Sequence, residues 1–199
     1  MYLNVLIFIW IATVLLALFA CWYIGRKYLR RAFPKSTKRL VTGLLRRHGA
    51  LREWRVLTDV TLGQGDQATT VDQLVVGPFG VLVVCDLCHR GDAYGDQDAQ
   101  EWTMQWGKEG QEKKARVPNP YYAAVQSVEQ LRALFAKEKI YSVQVDLAVV
   151  ATQGQGCYVP GIKPHVYDLH GLKTLVETSR FEKDNGLDVA RVAGLFARQ

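Results

Sequence analysis

Residues 70 to 87, TVDQLVVGPFGVLVVCDL, restrict the fold more than any other stretch of this chain. Two apolar, β-rich runs, Thr70–Val76 and Gly80–Leu87, are separated only by Gly77-Pro78-Phe79-Gly80. Proline presets a turn-like φ and glycine accepts the left-handed backbone of tight turns, so the runs pair as a hairpin. The elements around it follow from their periods. Leu40, Val41, Leu44 and Leu45 recur at helical spacing after a Ser36 or Thr37 cap, and that helix ends near His48-Gly49. Trp54–Leu62 alternates as a strand does, and Gly63-Gln64-Gly65-Asp66 is a turn. Trp102 and Trp106 alternate in a short strand pair within 89–118. Asn119-Pro120 then opens a helix, Tyr121–Lys137, with Val125, Val128, Leu131 and Leu134 on one stripe. Val143–Ala151 reads as a buried strand and Pro164–Tyr167 as a short one, while Leu169–Thr178 and Leu187–Ala197 read as helices. This order predicts an α/β domain with a mixed sheet flanked by helices.

Ahead of the domain lies a run of different character. Residues 1–25, MYLNVLIFIWIATVLLALFACWYIG, contain no Asp, Glu, Lys or Arg. At 1.5 Å per residue, about 20 apolar residues cross a hydrocarbon core of ~30 Å, and Trp10, Trp22 and Tyr23 suit its interfaces. Nothing basic precedes the run, unlike a cleaved secretory signal. Eleven Lys or Arg and one acidic residue, Glu53, fill residues 26 to 55, against 14 basic and 18 acidic in the remainder. Positive charge beside a span stays on the cytoplasmic side, so the expectation is a single-pass anchor, N-terminus out, in a bacterial inner membrane. The division expected is a transmembrane helix over 1–25, a basic juxtamembrane linker over 26–35, and a cytosolic domain over 36–199. The formal charge of +6 is therefore a juxtamembrane feature, suited to anionic headgroups, rather than the signature of a basic groove.

Cys85-Asp86-Leu87-Cys88-His89 spells a covalent haem attachment motif. It lies at the end of a β-run, where side chains alternate faces. Cys85 then points with Val83 and Leu87, Cys88 with Val84 and Asp86, and the two thiols diverge. Divergence counts against haem, zinc and a dithiol pair alike. Cys157, His165 and His170 lack the paired spacing of a zinc site. Cys85 fits a small buried hydrophobe.

The stretches DVTLGQG, TTVDQLVVGPFGVLVVCDLCHRGDAYGD, Trp102 and NPYYAAVQSVEQLRALF together resemble the nuclease-related domain (NERD) of the restriction-endonuclease-like superfamily. The likeness covers roughly 36 to 178 and is most specific in VDQLVVGPFGVLVV. It implies a restriction-endonuclease-like mixed β-sheet flanked by helices. It also implies two carboxylates on adjacent strands that hold a divalent cation, Mg²⁺ or Mn²⁺, with a lysine that helps activate water. Asp72 takes the first carboxylate position, Asp86 the place of the family's Glu, and Cys88 the place of its Lys. A thiol lacks the ammonium's charge and donors, so it cannot give the same electrostatic stabilisation. The family often carries a Glu in the first helix, where Lys38 stands here, and a Gln early in the later helix, where Ala123 stands one turn before Gln126.

The expected anchor and the resemblance together imply a membrane-anchored protein with a degenerate nuclease centre, associated with nucleic acid or with assembly of a membrane complex. Lys38, Arg39, Arg46, Arg47 and Arg90 would contact DNA phosphates or lipid headgroups. An active Mg²⁺-dependent DNase, with Asp72 and Asp86 as ligands and Asp92 or Glu101 assisting, is the first alternative. The second is a non-catalytic scaffold that docks other proteins through Trp102, Trp106, Tyr121 and Tyr122.

Overall fold

A computed structural model describes residues 37–63, 68–87, 91–141, 143–152, 157–158 and 166–196. The expected anchor and linker therefore lie outside the described residues, as do the turn residues 64–67, Cys88 and Arg90. Among the described residues, no helix is long and apolar enough to cross a membrane.

The chain runs α1 (Thr37–Gly49), β1 (Arg55–Leu62), β2 (Thr69–Gly77), β3 (Gly80–Asp86), β4 (Asp92–Tyr94), β5 (Glu101–Trp106) and β6 (Lys113–Pro118). It continues as α2 (Pro120–Lys137), β7 (Val145–Val150), β8 (Cys157–Tyr158), β9 (Val166–Tyr167), α3 (Leu169–Val176), a 3₁₀ turn at Ser179–Glu182 and α4 (Val189–Phe196). The expected α/β class with a mixed, helix-flanked sheet is what forms. Five strands lie in the order β1-β2-β3-β7-β9. β1, β2 and β3 are antiparallel neighbours, while β7 is parallel to both β3 and β9. A second sheet, β6-β5-β4-β8, contains the expected strand pair of 89–118 as β5 and β6 and extends it by β4 and β8, which were not anticipated. Its strands β4 and β8 hold three and two residues, too short to show a period.

The hairpin closes as its sequence requires. Gly77 pairs with Gly80, whose φ is 130°. A Cβ at Gly80 would sit 2.3 Å from the Gln144 carbonyl oxygen, the same oxygen that accepts the Val81 N–H at 2.8 Å. Glycine here is therefore a requirement of the β3–β7 junction as well as of the turn.

Both faces of the large sheet are covered. α2 and α4 bury Ala124, Val128, Leu131, Phe135 and Val192 against Leu74, Val76, Val81 and Val83. α1 and α3 bury Val41, Leu45, Leu172 and Val176 against Val75, Leu82, Val84 and Ala148 on the other face. The buried stripe of α2 is Ala124, Ser127, Val128, Leu131 and Phe135, so the expected stripe through Val125 and Leu134 is corrected by a shift toward Phe135. Phe135 offers more apolar area than Leu134, and turning it inward stabilises more. The small sheet closes a third cluster in which Trp102 and Met104 pack with Leu87, Ala93, Val117 and Val149.

Candidate active site

Asp72 lies where two regular strands depart from regularity together. On β1, Leu57 packs toward α2 and so do Val60 and Leu62. Strict alternation from Leu57 would send Val60 to the opposite face. Asp59, between them, has φ 57°, a left-handed conformation costing most L-residues roughly 1–2 kcal/mol. β2 reverses at the same level, since Val71 shares the α2-side cluster with Leu74 and Val76. The register pairs Thr58 with Gln73 and Val60 with Val71, so Asp59 and Asp72 occupy facing positions between them. Two carboxylates opposed across adjacent strands repel unless a cation joins them.

The cation is Lys38. Its ammonium forms ion pairs with Asp59 Oδ1 and, at 3.1 Å, with Asp72 Oδ1. Lys38 stands in the first turn of α1, which holds no acidic residue of its own. A positive side chain is disfavoured at a helix N-terminus, and the two strand carboxylates reverse that balance. The backbone of Lys38 is held as well. Its carbonyl accepts from Thr42 Oγ1 at 2.7 Å and from Gln73 Nε2 at 3.5 Å. Burial by itself pulls the Lys38 pKa down, but hydrogen bonds and charge from Asp59 and Asp72 outweigh it and raise the value, so the ammonium stays charged.

The second oxygen of Asp72 is engaged too. Oδ2 accepts the backbone N–H of Asp86 at 3.0 Å, which ties β2 to the end of β3. Asp86 is only 8 % exposed and pairs with Val150 of β7. Alternation along β3 places it with Leu82 and Val84, on the face covered by α1. Asp72 and Asp86 therefore meet through a backbone N–H and a carboxylate. Cys85 faces the opposite way with Val83. Burial, then the charges of Asp72 and Asp86, push its thiol up to about 12, which leaves it protonated and unreactive at neutral pH.

The remaining expected contacts divide. Arg39, Arg46 and Arg47 are exposed on α1 together with Leu40 and Gly43, forming one outward stripe without an acidic residue. Lys38 does not belong to it, because its ammonium is committed to the carboxylates. Arg52 is likewise occupied, donating to Val176 O at 2.7 Å and Glu182 at 2.8 Å. Trp102 is 1 % exposed and its indole donates to Asp96 O, so a docking role for it is corrected to a core role. Trp106 and Tyr122 are exposed.

A divalent ion on Asp72 and Asp86 does not fit this arrangement. Asp72 already meets an ammonium and an N–H. Glu101 faces Arg116 at 3.8 Å, and among the described residues no three His, Cys, Asp or Glu side chains are placed to hold a metal ion. Asp59 was missed as a member of the site. It opens the DVTLGQG stretch that carries part of the family resemblance, but nothing in that stretch names its partner.

Residues 35–152 match the family model of the nuclease-related domain, more than half of the chain. No curated protein and no solved structure matches the chain.

Proposed function

Because the chain belongs to the nuclease-related domain family, we propose that it is a nuclease-fold protein that holds nucleic acid without cutting it. In this reading residues 1–25 anchor it in a bacterial inner membrane, the domain faces the cytosol, and it serves there as a nucleic-acid-associated or assembly component. One observation supports the degenerate centre above all. The carboxylate at the family's first catalytic position, Asp72, is neutralised by Lys38, a residue of the chain itself. Cys88 in place of the family's Lys points the same way, since a thiol supplies no positive charge to a developing phosphorane. The outward stripe of Arg39, Arg46 and Arg47 supplies sequence-independent phosphate contacts.

The test is incubation of the full chain, in detergent, with plasmid and linear DNA in Mg²⁺ or Mn²⁺. An Asp72→Ala/Asp86→Ala variant runs beside it. Salt-sensitive binding without cleavage is expected from both proteins. Metal-dependent cutting by the wild type that the double variant lacks would show an active DNase instead. Absence of both cutting and binding would leave only a protein-docking role.

A further inference from the structure

We propose that the Lys38 ammonium is the resident cation of this centre, closing a clamp of α1, β1 and β2 that a divalent metal ion would otherwise close. This inference rests on the degenerate reading of the site and specifies how the degeneracy is built.

Three features of the site converge on it. Asp59 and Asp72 occupy facing positions on neighbouring strands, an arrangement that repels without a shared counter-ion. The ammonium meets both carboxylates at once, as a bridging ion does, and Asp72 lends its second oxygen to the Asp86 N–H. The clamp is also built rather than incidental. Asp59 holds a left-handed backbone at φ 57°, and the Lys38 carbonyl is fixed by Thr42 and Gln73. The Asp59 side chain is 65 % exposed, so this backbone framing, rather than burial, distinguishes the clamp from an ion pair between flexible surface side chains.

Charge sets the consequence. One ammonium carries a single positive charge against two facing carboxylates, whereas a divalent ion would balance both. Replacing Lys38 by glutamine therefore removes the positive charge and adds an amide oxygen beside the Asp59 and Asp72 carboxylates, giving three oxygen donors of the kind that hard cations prefer. A divalent ion from solution then substitutes for the lost ammonium.

The experiment uses the full chain as wild type, Lys38→Gln and Lys38→Gln/Asp72→Asn. Thermal unfolding is followed without divalent ions and with millimolar Mn²⁺, and Mn²⁺ binding is read directly from water-proton relaxation. The wild type should show neither a Tm response nor Asp72-dependent Mn²⁺ binding. Lys38→Gln should melt several degrees lower without metal, recover most of that loss with Mn²⁺ in a saturable way, and enhance relaxation. Adding Asp72→Asn should abolish both gains. Asp72-dependent Mn²⁺ binding by the wild type overturns the inference, and so does a Lys38→Gln protein indifferent to Mn²⁺. If Lys38→Gln does not fold, the wild-type measurement still decides, because a site already filled by an ammonium does not take Mn²⁺. The readouts are separate from those for DNA: a chain that neither binds nor cuts DNA fails the functional reading alone.

Discussion

Replacing Asn119 is expected to cost more than the loss of a helix cap. Asn119 is 2 % exposed at the start of α2, and its side-chain oxygen accepts from the N–H groups of Tyr121 at 2.9 Å and Tyr122 at 3.2 Å. Its amide nitrogen donates to Gln97 O at 2.8 Å and Ala99 O at 2.6 Å, in the loop that leads into β5. Loss of an N-cap costs about 1 kcal/mol. The two further hydrogen bonds contribute about 1 kcal/mol each, so Asn119→Ala should cost about 3 kcal/mol. For a domain of this size, that corresponds to a Tm lower by roughly 6–12 °C. Asn119→Asp separates the two contributions. Aspartate caps as well as asparagine and its charge suits the helix N-terminus, so a cap alone predicts no loss. The structure predicts the opposite, because a carboxylate oxygen would replace the NH₂ group and face two carbonyl oxygens. Thermal unfolding of wild type, Asn119→Ala and Asn119→Asp measures this. An Asn119→Asp protein as stable as the wild type would refute the argument that Asn119 clasps the second sheet to α2.

Two further outcomes follow from the site. The Cys85 thiol, raised from 9.0 to about 12, keeps its proton in the folded chain while the unfolded chain loses it. Stability should therefore be unaffected by this group below pH ~9 and fall by up to about 1.4 kcal/mol per pH unit between about 9 and about 12. Cys85→Ala should flatten that limb in pH-dependent denaturation, and an unchanged limb would assign the loss to other groups. If the outward stripe of α1 contacts DNA, Arg46→Gln/Arg47→Gln should reduce the slope of log K against log salt by about 2, measured by fluorescence anisotropy at several salt concentrations. A slope equal to the wild type would place the phosphate contacts elsewhere.

The sequence by itself determined the parts that depend on near neighbours in the chain. The Gly77–Gly80 turn, the strands on either side, α1 and the Asn119-Pro120 start of α2 were all legible, because turn chemistry, capping and side-chain period act over a few residues. Alternation along β3 also told that Asp86 and Cys85 face opposite ways. Tertiary structure decided the rest. β4 and β8 form a sheet only by pairing with each other and with β5, and no period exists in three or two residues. The reversal of facing at Asp59 and Asp72 needs both strands, since only their pairing places the two departures level. Lys38 shows the division most clearly. From the chain alone it was a basic residue at a position where the family often has Glu, and it was counted with the arginines of α1. Packing of Val41 and Leu45 on the sheet carries the first turn of α1 over β1 and β2. An ammonium 21 residues from one carboxylate and 34 from the other then becomes the charge that joins them.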